Sequence, residues 1–213
     1  MNLPATRSPR RAALATSVAA VLALAYPGHA GAWILTGLGT NNPARVFMMV
    51  GNGAAAVWQN NATVNTVSLS VPAAQLGTGA LQMTSDSTQA RSPYDQFTVC
   101  APPAQVYVGA AYQRRLSTQA ANAMLQVTAP ANLVNPAGDL IPISEISWTV
   151  SALGGDANPT AIPAGAFLGG TQFLTNIAQG TMRENCHTFR FANTAIRASG
   201  IYRGTVTYTL TMP

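Results

Sequence analysis

An all-β fold, an antiparallel β-sandwich of about nine or ten short strands, is what this sequence predicts. Three features lead there. Apolar and polar residues alternate with a period of two in segment after segment, while helical periodicity is nearly absent. Turn-forming clusters such as Pro102-Pro103, Asn135-Pro136-Ala137-Gly138 and Gly154-Gly155-Asp156 recur between those segments. The first 32 residues read as an export signal, which places folding outside the cytoplasm.

The signal is built in the usual three parts. Arg7, Arg10 and Arg11 form a positive start, and residues 12–26 are uncharged and mostly apolar. Pro27-Gly28 then breaks any helix before the small residues Ala30-Gly31-Ala32, with Gly28-His29-Ala30 as a second cleavage site. The apolar core is too short for a membrane anchor, and no later apolar run reaches spanning length. The expected organisation is a signal peptide over 1–32 and a single β-sandwich domain over 33–213, delivered to the periplasm, the outer surface or the medium.

All eleven basic residues are arginine, and three of them belong to the signal. The remaining eight are scattered, apart from Arg114-Arg115, against six acids. A nucleic-acid surface needs a dense basic stripe, so no nucleic-acid partner is expected. Cys100 and Cys186 are the only cysteines. In an oxidising compartment two cysteines predict one disulfide. A zinc site would need three or four ligands, and His187 is the only histidine beyond the signal.

Taken in order, strands are expected at 45–50, 66–71, 80–84, 97–100, 105–112, 124–128, 145–150, 166–174, 187–191 and 205–212. Val67, Leu69 and Val71 alternate with Thr66, Ser68 and Ser70. Phe97 and Val99 alternate with Thr98 and Cys100. Ile146, Trp148 and Val150 oppose Glu145, Ser147 and Thr149, and His187, Phe189 and Phe191 oppose Thr188 and Arg190. Gly169-Gly170 reads as a tight hairpin turn between Phe167-Leu168 and Thr171-Gln172-Phe173. The last strand is the cleanest: Val206, Tyr208, Leu210 and Met212 face one way, and Thr205, Thr207, Thr209 and Thr211 the other. Helical turns are expected only at 117–123 and at 193–199, the latter with Asn193 as N-cap and Gly200 as its stop.

A helical turn, then Gly200-Ile201-Tyr202, then an alternating strand resembles the E-to-F corner of an immunoglobulin-like sandwich. That resemblance implies a corner role for Tyr202, with its hydroxyl bonded to nearby backbone. The closing segment also resembles pilin subunits of the chaperone–usher type, whose incomplete sandwich accepts a strand from a neighbour. Gly200 stands fourteenth from the end, as in those subunits, whereas Met212 occupies their penultimate tyrosine position. Their disulfide also lies nearer the N-terminus. The cadence Gly-x-Tyr-x-Gly-Thr is similar to the last strand of WxL cell-surface domains, without the tryptophan motif that names them. The pilin resemblance implies self-assembly, or a chaperone-type partner, through an edge strand at 205–212.

Catalytic patterns are sparse. A Ser–His–acid set would have to use His187, which alternates with Phe189 and Phe191 on an apolar face, where a hydrogen-bonded structural histidine is expected. No Gly-x-Ser-x-Gly elbow occurs. Asp86 and Asp95 flank a polar loop whose spacing matches no standard calcium loop. Gly165–Gly170 is followed by no Lys, so it is not a phosphate cradle. Trp58 and Tyr94 are the best candidates for aromatics stacking on a sugar. No cofactor, metal or catalytic residue is expected. The leading expectation is a structural or adhesive surface subunit assembling by strand pairing. The alternative is a monomeric secreted carbohydrate-binding or calcium-assisted module, with a hydrolase third.

Overall fold

The structure, a computed structural model, describes residues 33–36, 45–53, 64–93, 96–97, 99–113, 121–151 and 161–213. The signal segment, Trp58, Tyr94 and Asp95 lie outside them. Two β-sheets pack face to face. The first places β1 (Trp33–Thr36), β14 (Thr207–Thr211), β7 (Ala123–Ala129) and β12 (Gly170–Ile177) side by side in that order. The second runs β11 (Gly165–Ala166), β10 (Ile146–Ser151), β13 (Thr181–Phe191), β6 (Val106–Gln113), β2 (Arg45–Val50), with β4 (Leu81–Gln82) also paired to β13. Two ribbons complete it: β3 (Val67–Ser68) with β5 (Thr84–Ser85), and β8 (Asn132–Val134) with β9 (Leu140–Pro142). Every strand pair is antiparallel except β1–β14.

Alternation builds the layer between the sheets. From β7 come Ala123, Leu125, Val127 and Ala129, and from β14 come Tyr208 and Leu210. Facing them are Val46, Met48, Val106, Val108, Tyr112, Trp148 and Phe189 of the second sheet. Burying each large apolar side chain contributes about 1.5–3 kcal/mol. This is the sandwich-like packing that one-faced strands predict.

Within the second sheet, β2, β6 and the middle of β13 are buried on both faces, which alternation alone does not announce. Phe47, Met49, Tyr107, Ala111 and Cys186 form a separate apolar cluster on its outer side, joined by Cys100 and Val99. Val99 and Cys100 lie against that cluster, and the Cys100–Cys186 disulfide, with Cα atoms 5.5 Å apart, ties them down. Hence β2 and β6 carry nearly unbroken apolar runs, Val-Phe-Met-Met-Val and Val-Tyr-Val-Gly-Ala-Ala-Tyr. Gly109 makes room for this packing, because a Cβ there would fall 2.3 Å from the Tyr107 hydroxyl.

Several expectations are corrected. The segment at 97–100 is not a strand. Val99 and Cys100 donate their backbone N–H groups to Ala90 O, and Phe97 is 70% exposed. Gly169-Gly170 is not a hairpin turn: β11 pairs with β10 in one sheet and β12 with β7 in the other. The glycines (φ 77° and 71°) form the corner where the chain changes sheets. No helix follows Asn193, which instead sits in left-handed backbone (φ 48°). Its buried amide accepts from Gly77 N and donates to Gln75 O and Gly79 O, bracketing a distant loop. At 117–123, residues 117–120 lie outside the described set, and Ala123 opens β7. Glu145 is not on a wet strand face. It closes a 3-10 turn (Ile143–Glu145) and pairs with Arg197.

Candidate functional site

The expected assembly strand is β14, so its surroundings come first. Tyr208 and Leu210 are each 2% exposed and anchor the strand in the core, while Thr211 is exposed. Val206 and Met212 pack against the same core beyond the strand's ends. One edge of β14 pairs antiparallel with β7, from Thr207↔Thr128 to Thr211↔Met124. The other pairs parallel with β1, from Trp33↔Thr207 to Thr36↔Leu210. The strand is therefore an inner strand within one chain rather than an open edge, and β1 holds the margin beside it. Sequence reasoning missed β1. The apolar run Trp33-Ile34-Leu35 directly after the expected cleavage site was the available signal.

The approach to β14 is pinned at two points. Val134 and Arg203 exchange backbone hydrogen bonds of 2.9 and 3.0 Å, fastening the strand's entry to the β8–β9 ribbon. The Tyr202 hydroxyl donates to Ala198 O at 2.9 Å, four residues upstream. This is the backbone bond expected of Tyr202. Tyr202→Phe is expected to cost about 0.5–1.5 kcal/mol for that bond alone. Tyr202→Ala should cost severalfold more, because the ring also packs against the core. Urea denaturation of both variants checks this, and equal losses would leave the hydroxyl without a role.

His187 is fully buried in β13, with its ring 6.0 Å from that of Trp148 and stacked within 6°. The expected hydrogen bond is absent: neither Nδ1 nor Nε2 has a partner. Its ring neighbours are Trp148 of β10 and Phe189 of β13. Burial pushes its pKa down to about 3, which keeps the ring neutral at neutral pH. The Tyr208 hydroxyl is likewise buried without a partner, and burial drives its pKa well above the ordinary range.

Two polar clusters remain. On the outer side of the second sheet, the Tyr107 hydroxyl and the Ser92 hydroxyl both donate to Glu184 Oε2, at 2.5 and 2.9 Å. This carboxylate anchors the covering segment, and sequence reasoning did not single it out. Where residues 85–88 meet Pro102 and Pro103 lies a groove of about 260 Å³ lined by Ser85, Asp86, Ser87, Thr88, Pro102 and Pro103. Two of these residues are fixed by hydrogen bonds: Asn52 Oδ1 accepts from Thr88 N at 2.6 Å, and Asp86 Oδ1 accepts from Thr66 N at 2.8 Å. Among the described residues no three His, Cys, Asp or Glu side chains gather as metal ligands. Nor is any helix among them long and apolar enough to cross a membrane. Comparison with protein-family models, characterised proteins and solved structures found no match.

Proposed function

We propose that this chain is an exported, non-enzymatic structural or adhesive surface subunit, an immunoglobulin-like sandwich that assembles by strand pairing, with β1 as the exchangeable strand. The observation that carries the reading is the place of β1. It is the first segment after the expected cleavage site, it pairs with β14 alone among the described strands, and the chain continues from it into the opposite sheet. Parallel pairing is slightly weaker per residue than antiparallel pairing. Its departure would leave β14 held by β7 and by Tyr208 and Leu210, and would bare one strand edge. The same segment of a neighbouring copy fits that edge, which is strand addition by exchange of an identical element. The disulfide agrees with an oxidising compartment such as the periplasm or cell surface.

Leu35 and Thr209 are register partners, and this provides the test. With Leu35→Cys and Thr209→Cys together, exchange is expected to give a ladder of disulfide-linked species on a non-reducing gel. Closed monomer alone would overturn exchange. It would favour the second reading, a monomeric carbohydrate-binding or calcium-assisted module, which the double pairing of β14 within one chain supports.

A further inference from the structure

Asparagine followed by glycine occurs once in the chain, at Asn52-Gly53, just past the end of β2. Asn52 is half-buried, and its side chain reaches across to the loop that follows β5. Three donors converge on its Oδ1: Thr88 N at 2.6 Å, Thr88 Oγ1 at 3.1 Å and Ser87 Oγ at 3.4 Å. Its Nδ2 donates to Asp86 O at 3.4 Å, beyond the usual range of such a bond. The amide is thus held more firmly by its oxygen than by its nitrogen. The main chain is anchored just before the glycine, where Asn52 N donates to Asn65 Oδ1 at 3.0 Å. Gly53 N donates to no acceptor among the described residues, and no side chain on residue 53 crowds it. Donors aimed at a carbonyl oxygen stabilise the negative charge that develops there when a nucleophile adds to the carbon. Here a nitrogen nucleophile stands in the adjoining residue.

We propose that Asn52-Gly53 is a self-modification site, where the chain closes a succinimide ring on itself and water opens it to aspartate or isoaspartate. The Gly53 amide nitrogen gives its proton to water and bonds to Asn52 Cγ, and the carbonyl electron pair moves onto Oδ1, among the Ser87 and Thr88 donors. As the carbonyl re-forms, the Cγ–Nδ2 bond breaks, and Nδ2 takes a proton from water and leaves as ammonia. A water molecule then adds to either ring carbonyl, and the bond from that carbon to Gly53 N breaks. Addition at Cγ gives aspartate, and addition at the main-chain carbonyl carbon gives isoaspartate. In sum one water is consumed and one ammonia released, with nothing oxidised or reduced. The bonds to Oδ1 persist through the addition, and the long Nδ2 bond is the one given up. Conversion removes that donor to Asp86 O and sets a second negative charge beside the loop that carries Asp86. Residues 85–88 are thereby loosened from the end of β2, and the groove they line changes shape.

Purified folded protein, incubated at neutral pH and followed by peptide mass spectrometry, is expected to gain at residue 52 the mass difference between an amide and an acid. Labelling by an isoaspartyl methyltransferase should locate isoaspartate at the same residue. Asn65, which precedes the branched Thr66, should stay unchanged over that time. Conversion should run faster in the folded chain than in the same chain unfolded in urea, which keeps the Asn-Gly pair and loses the converging donors. Ser87→Ala with Thr88→Val removes two of those donors and should slow conversion at least about tenfold. Conversion no faster in the folded chain than in the unfolded one overturns the proposal, as does a rate indifferent to loss of the two hydroxyls. Should the double variant fail to fold, the comparison of folded with unfolded wild-type chain alone decides it.

Discussion

Replacing the disulfide by Cys100→Ala and Cys186→Ala is expected to lower the unfolding free energy by about 4–5 kcal/mol, because the bridge restricts a long loop of the denatured chain. The cysteines are 86 residues apart in sequence. A domain's whole stability is about 5–15 kcal/mol, so the variant should stand near its unfolding threshold. The folded state loses something as well. The described residues of 86–104 belong to no strand, and their hold on the outer face of the second sheet rests on the bridge, on the Glu184 carboxylate and on short backbone bonds such as Ser85 N to Pro103 O. Without the bridge, Met49 and Tyr107 beneath them should become accessible. Urea denaturation with and without reductant measures the first effect, and the rate of peroxide oxidation at Met49 measures the second. A loss under about 1 kcal/mol would mean that the denatured chain gains little freedom when the bridge is cut.

Acid should unfold the protein through His187. Its folded pKa is lowered to about 3, against about 6.5 in the unfolded chain. Above pH 6.5 the ring is neutral in both states and contributes no pH dependence. As pH falls from about 6.5 toward 3, the unfolded chain takes up a proton that the folded chain refuses, so stability drops by about 1.4 kcal/mol per unit. Between pH 7.5 and pH 4.5 the expected loss is about 2–3 kcal/mol. His187→Leu, similar in volume and without polar atoms, should remove this slope. It should hold or raise stability at pH 7.5, since two ring nitrogens no longer need burying without partners. Urea denaturation of both proteins at the two pH values separates the histidine from the carboxylates, which titrate alike in each. Parallel losses would show that His187 is not the acid-sensitive group.

Much of the architecture was legible because a half-buried strand writes its two faces into alternate residues. Trp148 against Ser147 and Thr149, Leu125 and Val127 against Gln126 and Thr128, and Tyr208 and Leu210 against Thr207 and Thr209 all stand on the sides their spacing predicts. The same rule misplaced Phe97, because alternation over four residues also fits an irregular segment whose next neighbours decide its shape. Of the candidate site residues, Tyr202 makes the local backbone bond that its resemblance to an immunoglobulin-like corner implied. His187 was correctly set on a buried face, but its lack of a partner depends on what β10 brings opposite it.

The sequence by itself determined the all-β class, the one-faced strands and the disulfide pair. Each follows from residue type and short-range spacing, or from there being only two cysteines to join. Tertiary structure alone decided which strands are neighbours, and with that where an open edge can lie. It set β14 between β7 and β1, left β12 at the far margin, and made Gly169-Gly170 a corner between sheets rather than a turn within one. It also buried β6 on both faces under a segment tied by the disulfide. These outcomes are contacts between residues far apart along the chain, and strand order is a global competition among partners whose local patterns are nearly alike. Period-two alternation says which side of a strand is dry. It carries no information about which strand lies beside it.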